Sequence, residues 1–396
     1  MRILMSTWGW RSHFYCLVPL GWALAAAGHE VRVASHPSMV DPITAAGLAA
    51  VPLGRDIRFA EVFADQIGKV GRLDTNAGDE ADDGLEPAIT ADGGVVRFAD
   101  ALLDELVDYG RAFRPDLMIW EPFNLAAPVA AAALGVPGVQ QLWGPDSWVT
   151  LRLDRESVLG PLAGRHGLTA AEIGLAGTLS LDPVPEPMQV PRAEPSRPVR
   201  YLPYNGTAVL PSWLHAPAER PRVCVTAGTM MAGAGLADGL DLTEVIRAVA
   251  ELDVEVVAVL EPVQQRRLGP LPDNVRLADA PLALRLLLPS CAALVQQGGA
   301  GTTMTALACG VPQLILPQVS DQHFNGERLA ATGAGTSLPA GQADPARIRT
   351  LVGELLTDGS WRDAAGRMRE RIQQMPPPAV VVPELAALAA GRSRVP

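Results

Sequence analysis

The residues Gln296-Gln297-Gly298-Gly299-Ala300-Gly301-Thr302 stand between an apolar run, 292 to 295, and a short apolar segment, 302 to 309, that Gly310 and Pro312 close. The pattern reads as a strand, a glycine turn and a helix. Glycines let a ligand approach the backbone closely, and the first N–H groups of a helix have no partner inside it. The two together make a seat for a phosphate or another anion. A tight turn with no ligand is the competing reading. The spacing is not that of a nicotinamide-dinucleotide site, which needs G-x-G-x-x-G in the first strand-to-helix turn with an acid about 20 residues on. This chain has "STWGWRSH" in its first turn, and "GAGLADG" at 233 to 239 misses the spacing, so a dehydrogenase is disfavoured. His13 lies in that first turn, flanked by Trp8 and Trp10; taken alone, such a histidine is more often structural than catalytic.

These residues need a scaffold. The 396 residues exceed the roughly 250 to 300 at which one core stops growing, so two domains are expected. Hydrophobic residues make up 48% and charged ones 19%, and the net charge of -11 argues against nucleic acid or an anionic membrane as partner. Cys16, Cys224, Cys291 and Cys309 are scattered through apolar segments and read as reduced core residues. With no secretory leader and no apolar run of about 18 residues, a cytoplasmic protein is expected.

Along the chain, 2 to 6 is a first strand, Leu17, Leu20, Leu24 and Ala27 keep helical spacing up to Gly28, and "EVRVAS" alternates as a strand. Residues 115 to 120, 124 to 135 and 136 to 143 continue as strand, helix and strand. Residues 54 to 94 read as a polar, acidic loop. A proline-dense stretch from 182 to 221 reads as a linker. Beyond it "RVCVTAGT", "VEVVAVL", "AALVQQ" and "PQLILPQ" supply buried strands. The alternation predicts two doubly wound α/β domains in tandem, covering 1–210 and 211–375, with 376–396 expected as a helix packing back on the first. Trp8, Trp10, Phe14, Trp143 and Trp148 fall at or near strand ends of the first domain, where such sheets open onto ligands, and suit a flat apolar pocket. The acidic run 79 to 84 reads as solvated charge, and no metal site is expected.

The block from 287 to 335, "GWALAAAGHEVRVAS" after an N-terminal histidine, and "VRYLPYNG" at 199 to 206 resemble the bacterial GT-B glycosyltransferases that decorate antibiotics and other natural products. The resemblance covers essentially the whole chain. It implies two Rossmann-like domains facing across a cleft, the first taking an apolar acceptor and the second a nucleotide-diphosphate deoxysugar. It also implies that Gly298, Gly299, Gly301 and Thr302 hold the diphosphate, that Asp321 and Gln322 bind sugar hydroxyls, and that Thr229 faces the donor near its phosphates. The family commonly has His-His before the glycines. Here Gln297 can still donate a hydrogen bond to phosphate but adds no positive charge. Ala280 stands where the family often has an aromatic residue on the base, which leaves base choice open.

By the same resemblance His13, six residues ahead of Pro19, is the catalytic base, and Glu121, after "PDLMIW", is its carboxylate partner; a helix-capping acid is the other reading of Glu121. The implied reaction is inverting and metal-independent: it moves a deoxysugar, expected as a thymidine-diphosphate co-substrate, onto a polyketide-like aglycone. No further cofactor is expected, and a homodimer or an activator protein stays open. The alternatives are a nucleotide-sugar epimerase of similar fold and a non-catalytic glycosyltransferase-like partner.

Overall fold

The computed structural model describes residues 1–58, 93–146, 153–192, 194–229, 240–278, 282–318 and 320–391; Trp148, Ala280, the acidic run at 79 to 84 and the 233 to 239 segment lie outside them. The chain forms two compact units. The first comprises Met1–Pro183, Val190–Arg200 and Met375–Pro396, and the second Val184–Gln189 and Tyr201–Gln374.

The first unit is built on seven parallel strands: β1 (Arg2–Ser6), β2 (Glu30–Ser35), β3 (Ala49–Pro52), β4 (Leu117–Trp120), β5 (Gly138–Gln141), β6 (Leu179–Asp182) and β7 (Ser196–Pro198). Their order is β3-β2-β1-β4-β5-β6-β7, with Leu4 of β1 beside Arg32 on one side and Met118 on the other. Strand order therefore reverses between β1 and β4, which is where doubly wound sheets bind ligands, outside the carboxyl ends of the strands. The central strands β1 and β4 are apolar and buried along nearly their whole length, as expected where helices cover both faces of a parallel sheet. After β1 the chain forms α1 (Arg11–Tyr15) and α2 (Val18–Ala26), whose first turn accepts Pro19 because a proline there gives up no helical hydrogen bond. His13 thus lies inside a short helix, whereas the sequence placed it in a loop ahead of one.

Helix α3 (Gly94–Phe113) was not anticipated, although its buried Val95, Phe98, Ala99, Leu102, Leu103 and Leu106 keep the i, i+3, i+4 spacing of an amphipathic helix. It packs on α4 (Ala126–Leu134), which follows β4. The proline-dense stretch is more than a linker: β7 lies within it at the sheet edge, where Pro198 costs no ladder hydrogen bond.

The second unit has the order β10-β9-β8-β11-β12-β13, all parallel, from β8 (Arg222–Val225), β9 (Glu255–Ala258), β10 (Val275–Leu277), β11 (Ala293–Gln296), β12 (Gln313–Ile315) and β13 (Gly335–Ser337). Its reversal falls between β8 and β11. Helix α5 (Ala300–Cys309) follows β11 and ends at Gly310 in the left-handed conformation, φ 72°; α6 (Ser320–Thr332) follows β12. Among the described residues no helix is long and apolar enough to cross a membrane.

The boundary between the units falls at 200/201 rather than at 210. The Arg200 N–H donates to the carbonyl of Pro376 at 2.7 Å, within the first unit. Tyr201 Oη donates to the carbonyl of Gly301 at 3.1 Å, and Asn205 Nδ2 to Thr305 Oγ1 at 3.1 Å, within the second. The helix Pro378–Ala389 packs on α2 through buried Val381, Val382, Leu385 and Leu388, and Glu384 pairs with Arg197 of β7 at 2.8 Å. Leu385 is fully buried, so Leu385→Ala should cost the first unit about 2–5 kcal/mol in a urea titration; a loss under about 1 kcal/mol would show that this helix adds little to the core.

Candidate active site

In the first unit, Trp8 follows the end of β1 and Glu121 follows the end of β4, so both stand at the reversal of strand order. The Glu121 side chain has no exposed surface, and His13 Nδ1 lies 3.0 Å from its Oε2. The Phe123 N–H donates to the same oxygen at 2.9 Å, and the Trp8 N–H reaches Oε1 at 3.5 Å. A carboxylate offers only lone pairs, so the proton on this contact belongs to Nδ1 and leaves Nε2 with a lone pair to accept another. Asn124, on the same β4–α4 turn, donates to Ser6 Oγ at 2.8 Å and accepts from the Ala127 N–H at 3.3 Å. That turn is thereby tied to β1, and the capping role belongs to Asn124 rather than to Glu121.

Three aromatic rings enclose the imidazole. Phe123 stacks on it at 5.5 Å between centroids, and Trp8 and Trp143 meet it edge-on at 5.0 and 5.1 Å. The His13 side chain keeps 15% of its surface exposed, so it is shielded from bulk water yet reachable. The loop carrying Trp143 is anchored by Asp146, which pairs with the almost fully buried Arg192. Cys16 donates its thiol to the carbonyl of His13 at 2.9 Å; burial, and then the Glu121 charge, push that thiol well above the usual range, so it stays protonated.

In the second unit, the turn after β11 is held from beneath by uncharged groups. Gln296 is 1% exposed; its Oε1 accepts the Gly298 N–H at 2.8 Å, and its Nε2 donates to Thr303 Oγ1 and Gln313 Oε1, both at 2.9 Å. Asn325 Nδ2 donates to the Gly298 carbonyl at 2.9 Å, and Thr303 Oγ1 to that of Gly299 at 3.1 Å. Gly298 sits at φ 98°, which glycine alone adopts readily. Gly299 is the N-cap of α5, no side chain caps that helix, and the space where a Gly301 side chain would project is open. The amide nitrogen of Gln297 lies so close to the Gly228 and Gly299 backbone that a Cβ there would approach it to 2.2 and 2.6 Å. Gln297 therefore bridges the turns after β8 and β11, and its buried Oε1 meets no partner among the described residues.

The anticipated residues divide as follows. His13 and Glu121 come together, with Trp8, Trp10 and Trp143 on the same unit; Trp10 is half-buried and packs on the α3 core. Phe14 is a correction: it faces inward from α1, is fully buried and has no surface for a ligand. Gly298, Gly299, Gly301 and Thr302 form the turn and first helical turn, but the Gly298 N–H is already taken by Gln296. Thr229 and Asp321 are half-buried, the latter in the first turn of α6. Gln322 is 3% exposed and its Oε1 accepts the Gln318 N–H at 2.8 Å, so this oxygen holds the loop after β12. Sequence reasoning missed Phe123, Gln313 and Asn325. Only the position of Phe123, two residues past a strand-end acid, gave a local signal.

Two tandem Rossmann-like units, each with functional groups at its strand-order reversal, define the GT-B class. Residues 22–228 match the erythromycin biosynthesis protein CIII-like N-terminal domain, and residues 243–388 match the corresponding C-terminal domain. The 10-deoxymethynolide desosaminyltransferase of Streptomyces venezuelae is 38% identical over 100% of this chain and 99% of its own length. The tylactone mycaminosyltransferase of Streptomyces fradiae is also 38% identical, over 100% of this chain and 94% of its own. Among solved structures, glycosyltransferase VinC in complex with dTDP superposes with a TM-score of 0.79 at 34% identity, covering 99% of this chain and 100% of that one. The chain belongs to the erythromycin biosynthesis protein CIII-like family. It is a glycosyltransferase, and these relatives transfer sugars, which sets aside the epimerase and the non-catalytic partner.

The two glycines of the turn should respond oppositely to a methyl group. In Gly298→Ala the new Cβ would lie 2.8 Å from the Gln322 carbonyl oxygen at a positive φ, so a loss of about 1–3 kcal/mol is expected. Gly301→Ala meets open space in a helix and should be neutral or stabilising by about 0.5–1 kcal/mol. Thermal melts of the two variants check the turn geometry; equal melting temperatures would contradict it.

Proposed function

We propose that this glycosyltransferase moves a deoxysugar from a thymidine-diphosphate donor to a hydroxyl of an apolar, polyketide-type aglycone, with inversion and without a metal ion. The observation that carries the reading is the 3.0 Å contact between His13 Nδ1 and the buried Glu121 carboxylate, which leaves Nε2 as a proton acceptor among Trp8, Phe123 and Trp143. The activities of the relatives, desosaminyl transfer to 10-deoxymethynolide and mycaminosyl transfer to tylactone, support the substrate classes, and the dTDP complex of a structural neighbour supports the nucleotide.

In this mechanism His13 Nε2 takes the proton of the acceptor hydroxyl as its oxygen attacks the anomeric carbon. The bond to the diphosphate oxygen breaks on the opposite face, and configuration inverts. Glu121 holds the ring tautomer and faces the imidazolium that forms. The leaving diphosphate gathers charge where the uncapped N–H groups of α5 begin, and fixed main-chain dipoles of this kind stabilise a developing anion without rearranging. They supply positive potential in the role a cation fills elsewhere. Gln297 adds a neutral amide N–H. Asp321 and Gln322 are assigned to the sugar and Thr229 to the phosphates.

Mass spectrometry of the protein incubated with a thymidine-diphosphate deoxysugar and a macrolactone tests the reading through a sugar adduct. His13→Ala should lower turnover by about 10²–10⁴-fold with donor binding intact; an unchanged rate removes the base assignment. Gly301→Ala should keep its fold yet bind dTDP at least tenfold more weakly, roughly the loss of one or two hydrogen bonds to a charged group. Unaltered dTDP affinity would move the diphosphate away from this helix.

A further inference from the structure

The segment 199 to 206 has no part in the mechanism above, yet two of its side chains reach the carbonyl side of the glycine turn. Tyr201 is 9% exposed, and its Oη lies 3.1 Å from the Gly301 carbonyl oxygen and 3.2 Å from Thr305 Oγ1. Thr305 is fully buried and donates its one hydroxyl proton to the same carbonyl at 2.6 Å. Asn205 Nδ2 donates to Thr305 Oγ1 at 3.1 Å, which fills a lone pair of that hydroxyl and leaves its proton for Gly301. Asn205 Oδ1 accepts the Arg285 N–H at 3.0 Å, so the amide is fixed at both ends. The Tyr201 proton is therefore shared between the carbonyl and Thr305 Oγ1. Given to the carbonyl, it polarises that group directly; given to Thr305, it strengthens the Thr305 bond to the carbonyl in turn.

The carbonyl that receives these hydroxyls is one end of a peptide group whose other end is the Thr302 N–H. A trans peptide is planar with its C=O and N–H opposed, so the carbonyl runs into α5 and the N–H points out of its start. The first N–H of α5 to find a helical partner is that of Thr303, which donates to the Gly299 carbonyl at 3.0 Å. The Thr302 N–H lies ahead of that ladder, and no side chain caps the helix. Drawing electron density toward the oxygen makes the proton on the nitrogen a better donor, by about 10–30% for each added hydrogen bond. Gln297 brings no charge to this turn, so the strength of its main-chain donors sets how firmly an anion is held.

We propose that Tyr201 is a positioning residue of the donor site: together with Thr305 it polarises the Gly301–Thr302 peptide, and the Thr302 N–H is thereby strengthened as a donor to the diphosphate. The inference rests on the donor reading given above and deepens it, since it singles out one main-chain N–H and the side chains that tune it. It also gives the tyrosine and asparagine of 199 to 206 a function that neither has as a mere connection.

The test is titration of the full chain with dTDP and with thymidine, which carries the base and sugar but no phosphate. Tyr201→Phe keeps the ring in place and removes only the hydroxyl. It should bind dTDP about two- to fivefold more weakly than wild type, the scale of a fraction of one hydrogen bond to a charged group, and thymidine as wild type does. A purely structural hydroxyl would not separate the two ligands. Thr305→Val, nearly isosteric, removes the other hydroxyl; it carries the same expectation and decides the matter if Tyr201→Phe does not fold. Threonine labelled with ¹⁵N, with the Thr302 resonance assigned by its loss in Thr302→Ser, reports whether dTDP reaches this N–H. Wild-type affinity for dTDP in Tyr201→Phe, or an equal loss for thymidine, overturns the inference and leaves the donor reading in place. A Thr302 resonance that dTDP does not move in the wild-type chain overturns both.

Discussion

A carboxylate that has lost its water must have its lone pairs met by the protein, or its charge becomes prohibitively costly. At Glu121 the Phe123 N–H and the His13 ring meet them, and the arrangement around the strand-order reversal of the first unit follows from this need. The β4–α4 turn must present its Phe123 amide inward, which Asn124 secures by reaching back to Ser6 of β1. Helix α1 must begin soon enough after β1 to bring His13 over the carboxylate. The aromatic rings then close around a polar pair that is already satisfied on one side, so the one nitrogen left over, Nε2, is the one chemistry can use.

The second unit solves a different electrostatic problem by different means. Its glycine turn is shaped by Gln296, Thr303, Gln313 and Asn325, whose contacts are hydrogen bonds between neutral groups. Such a network is fully committed, which makes it rigid, and because its members carry no charge it does not compete with the potential of the α5 N-terminus. The turn also explains why two glutamines precede the glycines. Gln296 points down and builds the turn; Gln297 points across to Gly228 and joins the two strand ends at the reversal. Identical neighbours in sequence do separate work because successive side chains leaving a strand face opposite ways.

Much of this was legible in the chain itself. The strand cores, the Gly310 helix end and the glycine turn declare themselves through short-range pattern, since each depends on backbone conformation or on a period of a few residues, whereas the histidine after β1 stands out only through the family resemblance. Two kinds of feature did not. Helix α3 carries a clear amphipathic repeat, but it begins where the polar loop reading of 54 to 94 ends, and its residues were given no element. The inward turn of Phe14 and Gln322, the Asn325 contact to Gly298 and the stacking of Phe123 on His13 depend on residues far apart in sequence that the sheet brings together. Proline density at 182 to 221 suggested a linker because proline keeps the backbone extended and stops helices. The edge of a parallel sheet tolerates it, and β7 occupies that edge.

The replacement of a histidine by Gln297 has a consequence for how the two units share the chemistry under the proposed assignment. An imidazole at that position would gain and lose charge in the same range as a catalytic histidine, so both halves of the reaction would respond to pH together. With an amide there, the groups that hold the turn and bridge it do not titrate. Under that assignment the loss of charge at the phosphates is the counterpart of a simpler division: geometry and main-chain dipoles face the leaving group, and the hydrogen-bonded pair of His13 and Glu121 faces the nucleophile. That division also accounts for the permanent character of the turn network, because a site that cannot rely on a movable positive charge must have its N–H groups aimed before the donor arrives.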